Sequence, residues 1–191
     1  MQRPQNTASD HSVAWLDHLA DEQAITELRT CCAADAWVRT MLRQRPFGSL
    51  EALLQGGGSA VLALDDAALD DALAAHARIG ERPGGGGREA GWSRTEQAAA
   101  LAADDDVLDL LAAGNRAYQE RFGHVFLIRA AGRTAQEMYD ALRSRLTNDE
   151  PTERSVVRHE LAEIVRLRLA RLVTPVTDPV TDPVTDRVSD R

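Results

Sequence analysis

The sequence predicts an all-α protein, and three observations carry the prediction. Alanine and leucine are abundant, aromatic residues make up only 4% of the chain, and the Val/Ile/Thr alternation of strands is nearly absent. One short apolar run, Val125-Phe-Leu-Ile128, suits a strand or an extended segment, but a single run cannot form a sheet. With 191 residues, 43% of them hydrophobic, the chain is long and apolar enough for one domain with its own core.

From the N-terminus, the apolar pattern predicts helices at about 13–19, 22–43 and 49–55. The second carries Cys31 and Cys32, the only cysteines; adjacent thiols in an apolar helical stretch read as reduced and buried. Gly56-Gly-Gly-Ser59 reads as a break before a helix at 59–76, and Gly84-Gly-Gly-Gly87 as a loop before one at 94–102. Asp104 and Thr134 are suited to N-cap helices at 104–120 and 134–145, and the last helix is expected at 152–172. After Thr174 the chain repeats Pro-Val-Thr-Asp, whose prolines remove helix donors and which holds no aromatic anchor. The folded unit is therefore expected to span 1–173, with a disordered tail at 174–191.

Charge and composition exclude several classes of partner. A formal charge of −8 argues against nucleic acid or an anionic membrane as the main partner. No apolar run approaches the roughly 20 residues that a membrane span needs. The polar start Met1-Gln-Arg-Pro-Gln-Asn-Thr-Ala-Ser9 and the end Val188-Ser-Asp-Arg191 match neither a secretory nor a peroxisomal signal, so a cytoplasmic protein is expected. The four glycines at 84–87 lack the Lys-Ser/Thr of a phosphate loop. His11, His18, His124 and His159 show no metal-binding spacing, and Asp104-Asp-Asp106 lacks that of a calcium loop, so no metal is expected. Arg143, Arg145, Arg154 and Arg158 read as a solvated basic face.

Some polar residues stand out by position. Leu69, Ala72, Leu73 and His76 follow helical spacing, which turns His76 toward the core at a helix end beside a glycine-rich loop. It is either a buried histidine satisfied by a carbonyl or a group that a ligand can reach. Ser93-Arg-Thr-Glu96 has capping-box spacing, and with Gln97 it places three polar side chains on what reads as a first helical turn, suited also to an anion. Arg168 falls near the middle of the apolar stripe of Val157, Leu161, Ile164, Val165, Leu169 and Leu172. A guanidinium facing a core needs an anion, either a protein carboxylate or a substrate carboxylate.

Taken together, His76 to Arg82, Trp92 to Gln97, Phe122-Gly-His-Val-Phe-Leu-Ile128 and Arg166-Leu-Arg-Leu169 resemble the OHCU decarboxylase family. Its members convert 2-oxo-4-hydroxy-4-carboxy-5-ureidoimidazoline (OHCU) to (S)-allantoin, the last step of urate oxidation. Cys31-Cys32, Trp37, Arg45-Pro-Phe47, Asn115 and Tyr118 also look like the family's pattern. The resemblance implies an all-α fold, catalytic roles for His76 and Glu96, and substrate binding by Ser93, Gln97, Ile128 and Arg168, with the last on a carboxylate or ring oxygen. It also implies a small-molecule substrate, no cofactor and a homodimer. The chain departs from the family's pattern at Ala77, where proline normally follows the histidine.

The chemistry suits these residues. The OHCU carboxylate sits next to a C=N bond that can accept the electron pair released with CO2, so no cofactor is needed as an electron sink. The competing reading is a non-catalytic helical interaction module, with Glu96 a cap and Arg168 in a structural ion pair. Convergence separates the two, because only an enzyme has reason to gather His76, Glu96 and Arg168 around one pocket.

Overall fold

A computed structural model describes residues 12–80, 88–101 and 103–174. Among them are ten helices and no strand: α1 Val13–His18, α2 Asp21–Cys31, α3 Asp35–Gln44, α4 Leu50–Leu62, α5 Asp66–Ala74, α6 Arg88–Glu96, α7 Ala98–Leu101, α8 Asp105–Phe122, α9 Ala135–Arg145 and α10 Glu150–Leu172. The all-α expectation holds. The glycines at 84–87 and the repeats after Thr174 lie outside the described residues. No helix among the described residues is long and apolar enough to cross a membrane.

Caps explain several boundaries. The hydroxyl of Ser12, the carboxylate of Asp65 and that of Asp149 each accept a backbone N–H in the first turn of α1, α5 and α10. Pro151 falls early in α10, where its missing N–H costs no helical bond. Thr134 and Glu137 form a reciprocal capping box on α9, as Thr134 was expected to begin that helix. Asp104 does stand at the N-cap of α8, although its side chain makes no capping bond. Gly123 ends α8 at φ 76°, a left-handed conformation that favours glycine.

In the N-terminal half, boundaries depart from expectation at two places. The helix predicted over 22–43 breaks at Cys32, whose backbone is extended at φ −152° and ψ 126°. Cys31, Cys32, Ala34 and Trp37 are all buried, and adjacent side chains on an unbroken helix could not all face one core. Both cysteines are free thiols, and burial pushes that of Cys31 up to about 12. Conversely, Gly56 to Gly58 do not break the chain but lie inside α4. A Cβ on Gly57 would fall 2.3 Å from Leu169 Cδ1, and one on Gly58 2.4 Å from Arg166 Nη2. The glycines let α4 and α10 come together, and tertiary packing overrides their weak helix propensity. The break instead falls at 63–65, ahead of α5.

Two hydrophobic clusters form the interior. One surrounds Trp37 with residues of α2, α3, α4, α5 and α10; the other joins α8 and α9 to Ile79 and Ala100. The segment 125–130 has no regular hydrogen-bonded structure, which settles the strand-or-extended alternative. Phe126, Ile128 and Ala130 enter the second cluster while Leu127 enters the first, as the twofold alternation of extended chain dictates. This segment therefore runs between the two cores, beside α10.

Candidate active site

His76 follows the end of α5 by two residues. Its Nδ1 lies 2.9 Å from the Ala72 carbonyl, which can only accept, so Nδ1 carries the hydrogen and Nε2 presents a lone pair. That Nε2 is buried and has no partner among the described residues. One nitrogen of the ring is thus satisfied by a carbonyl, as the first of the two readings expects, and the other is not. Burial first, and then the nearby Arg168 charge, lower its pKa to about 4, so the ring is neutral at pH 7.

Ser93 and Glu96 occupy the last turn of α6, not the first turn of a helix. The chain is already helical at Arg88, and the Gln97 N–H closes a regular helical bond to the Ser93 carbonyl at 3.0 Å. The capping-box reading and the anion site at a helix start are both overturned by this register. A carboxylate at a helix C-terminus is disfavoured by the dipole, and here two guanidinium groups offset it. Arg168 donates to Glu96 Oε2 at 3.0 Å and to Oε1 at 3.3 Å, while Arg171 donates to Oε1 at 3.0 Å. Arg168 also donates to Ser93 Oγ at 2.9 Å. Ser-x-x-Glu spacing puts both acceptors one turn apart on the helix face that meets α10.

Gln97 turns toward the loop after His76, where its Oε1 accepts the Gly80 N–H at 3.2 Å. Asn115 on α8 holds the same loop by donating to the Ile79 carbonyl at 2.8 Å. Ile128 lies across from this loop. His76, Ser93, Glu96, Gln97, Ile128 and Arg168 all line one cavity, so the structure gathers the six residues expected to form the site. With the Glu96–Arg168 pair formed, about 20 Å³ remains free, room for about one water.

Residues 17–170 match the family described as OHCU decarboxylase. The chain belongs to that family. Among curated proteins it is similar to the uric acid degradation bifunctional protein TTL of Arabidopsis thaliana, at 31% identity over 81% of this chain and 48% of that protein. The uric acid degradation bifunctional protein PucL of Bacillus subtilis is 28% identical over 81% of this chain and 31% of its own length. The chain thus spans about half or less of the curated relatives it matches. A crystal structure of an OHCU decarboxylase in the presence of (S)-allantoin aligns at TM-score 0.67 and 25% identity, covering 81% of this chain and 99% of that one. A crystal structure of (S)-allantoin synthase shares the fold at TM-score 0.65 and 14% identity, over 85% of this chain and 54% of that one.

Other features of this family member escaped the sequence reading. Arg145 is not part of a solvated basic face; it is 7% exposed and paired with the fully buried Glu153. Its spacing from Met138 and Leu142 on the buried stripe of α9 was the available signal, as Val157 and Leu161 were for Glu153 on α10. Arg154 and Arg158 pair with Asp66 and Asp70 of α5. Burial alone would raise the Glu153 carboxyl, but hydrogen bonds from Arg145 and Tyr118 outweigh it and hold the pKa below its usual value. Arg171 was likewise overlooked, because its place one turn beyond Arg168 is distinctive only once α6 is known to lie there.

Proposed function

We propose that this chain decarboxylates OHCU to (S)-allantoin without a cofactor. The observation that carries the reading is the buried, unpartnered Nε2 of His76 in the same cavity wall as Glu96 and Arg168. Such convergence has no purpose in a helical interaction module, and family membership supplies the substrate class.

In this reading the substrate carboxylate draws the Arg168 guanidinium from Glu96, a planar donor fork suited to a carboxylate. Arg171 keeps its bond to Glu96, so the displaced carboxylate is not stranded. The bond from the ring carbon to the carboxylate breaks, its electron pair passes into the adjoining C=N system, whose nitrogen takes up a proton, and CO2 leaves. His76 Nε2 is placed to accept the hydroxyl proton as the enol becomes a carbonyl, while the ureido-bearing carbon gains a proton on one face. Glu96 serves as the second proton-exchanging group, and the Ile128 backbone contacts the ring. Orientation and electrostatic stabilisation of the enolate supply the rate enhancement. Within the same proposal, Ser93 steers Arg168 and Gln97 braces the loop behind His76 while its amide N–H groups face the substrate.

We further propose that residues 1–173 are the folded unit, that the protein works in the cytoplasm, and that it does so as a homodimer, the last as the family resemblance implies. The test is to combine urate, uricase, a hydroxyisourate hydrolase and this protein, then follow circular dichroism. Rapid appearance of one allantoin enantiomer is expected. Optical activity no greater than in the mixture lacking the protein would refute the assignment.

A further inference from the structure

The catalytic reading makes no use of the buried network beside the cavity. Glu153 accepts from Arg145 Nε at 2.8 Å, from Asn148 Nδ2 at 2.7 Å and from the Tyr118 hydroxyl, and these bonds tie α8, α9 and α10 together. Buried ion pairs are poor sources of stability, since well-packed apolar residues often do as well. One bond leaves this network: Arg145 Nη1 donates to the Leu127 carbonyl at 2.7 Å. Two residues on, the Arg129 N–H donates to Glu160 Oε2 of α10 at 2.8 Å.

These two bonds hold the peptide groups on either side of Ile128. In extended chain, a residue's own N–H and C=O point opposite to the neighbouring Leu127 carbonyl and Arg129 N–H. The Ile128 N–H and C=O are thereby turned away from α9 and α10, and neither has a hydrogen-bond partner among the described residues. Ile128 is 3% exposed and lines the cavity.

We propose that Arg145 is a positioning residue of the active site, fixing through the Leu127 carbonyl, with Glu160 as the second anchor, the place where the Ile128 backbone meets the substrate. The inference rests on the proposed contact of Ile128 with the substrate. Arg145 touches no substrate itself. Its charge is buried because only a forked cation can bind Glu153 with one arm and a backbone carbonyl with the other.

Two variants separate positioning from stability. Arg145→Lys keeps a cation for Glu153 but loses the fork to Leu127, whereas Tyr118→Phe removes a bond to Glu153 and leaves the Leu127 bond intact. Both should lower the melting temperature. Only Arg145→Lys should speed amide exchange at Arg129, by about tenfold, and raise KM about tenfold with kcat nearly unchanged, as for uniform binding lost. Glu160→Ala should reproduce both changes. Wild-type exchange at Arg129 in Arg145→Lys would overturn the proposal, as would an equal rise in KM in Tyr118→Phe. A wild-type protein that does not decarboxylate OHCU would refute the functional reading instead, and exchange would still decide whether Arg145 holds the segment.

Discussion

Replacement of Arg168 by methionine tests the centre of the site. The residue is 1% exposed, and the change deletes its bonds to both Glu96 oxygens and to Ser93 while roughly preserving the aliphatic volume. Breaking a buried ion pair from one side typically costs about 3–5 kcal/mol, because the surviving charge is left without a partner. Here Glu96 retains Arg171 at 3.0 Å, and that arginine's side chain is 30% exposed, so water can follow it to the carboxylate. The expected cost is therefore lower, about 2–3 kcal/mol. For a chain of this size that is a melting temperature roughly 4–12 °C lower. Adding Glu96→Gln to Arg168→Met removes the buried charge that has lost one of its two cations, so the pair of changes should cost about 1–2 kcal/mol less than the sum of the singles. Urea unfolding followed by circular dichroism measures all three variants. Strict additivity, or a loss below about 0.5 kcal/mol in Arg168→Met, would show that the ion pair does not organise the unliganded site. Loss of OHCU turnover in Arg168→Lys, with most of the stability kept, would assign the guanidinium fork rather than the charge to substrate binding.

The depressed His76 pKa gives a pH signature. With the folded value near 4, kcat/KM should hold from pH 7 to about 5 and fall only as Nε2 takes a proton, whereas an ordinary histidine would fail near 6.5. Because the folded ring binds its proton less tightly than the unfolded one, this group's contribution to stability is complete above about 6.5 and is lost as pH falls toward 4. His76→Asn should abolish both the acid limb and turnover, a loss on the order of 10²–10⁴-fold, with the helical circular dichroism unchanged. Gly57→Ala should destabilise by about 1 kcal/mol, since crowding of Leu169 outweighs the gain in helix propensity, while Gly56→Ala meets only the movable Gln44 amide and should stabilise by up to about 1 kcal/mol. Equal signs from thermal melts would refute the close-approach account of these glycines. A chain ending at Thr174 should melt and turn over as the full chain does, because the Pro-Val-Thr-Asp repeats carry too little apolar surface to offset ordering entropy; a lower melting temperature would move the boundary.

What could be read from residues alone was whatever depends on local pattern. Thr134 begins α9, and the stripe around Arg168 on α10 places a cation in the core. The obscure parts depend on what lies opposite. Gly57 breaks a helix in isolation but fits one whose neighbour presents Leu169. Ser93-x-x-Glu96 is ambiguous for a related reason: the spacing that closes a capping box also lines up two acceptors for a cation from another helix. Arg145 shows a third kind of concealment. Beside the exposed Arg143 it looks like surface charge, although its register with Leu142 marks it as buried.

The triple glycine of α4 has a consequence for cooperativity. Each glycine in a helix interior costs about 1 kcal/mol relative to alanine, so α4 on its own has little tendency to form. It is a helix on condition that α10 is docked, and α10 carries Arg168 and Arg171. Opening of that seam would release α4 and the two cations on Glu96 in a single event. Unfolding that opens this seam therefore leaves neither α4 nor the site intact, and slowly exchanging amides are expected along it.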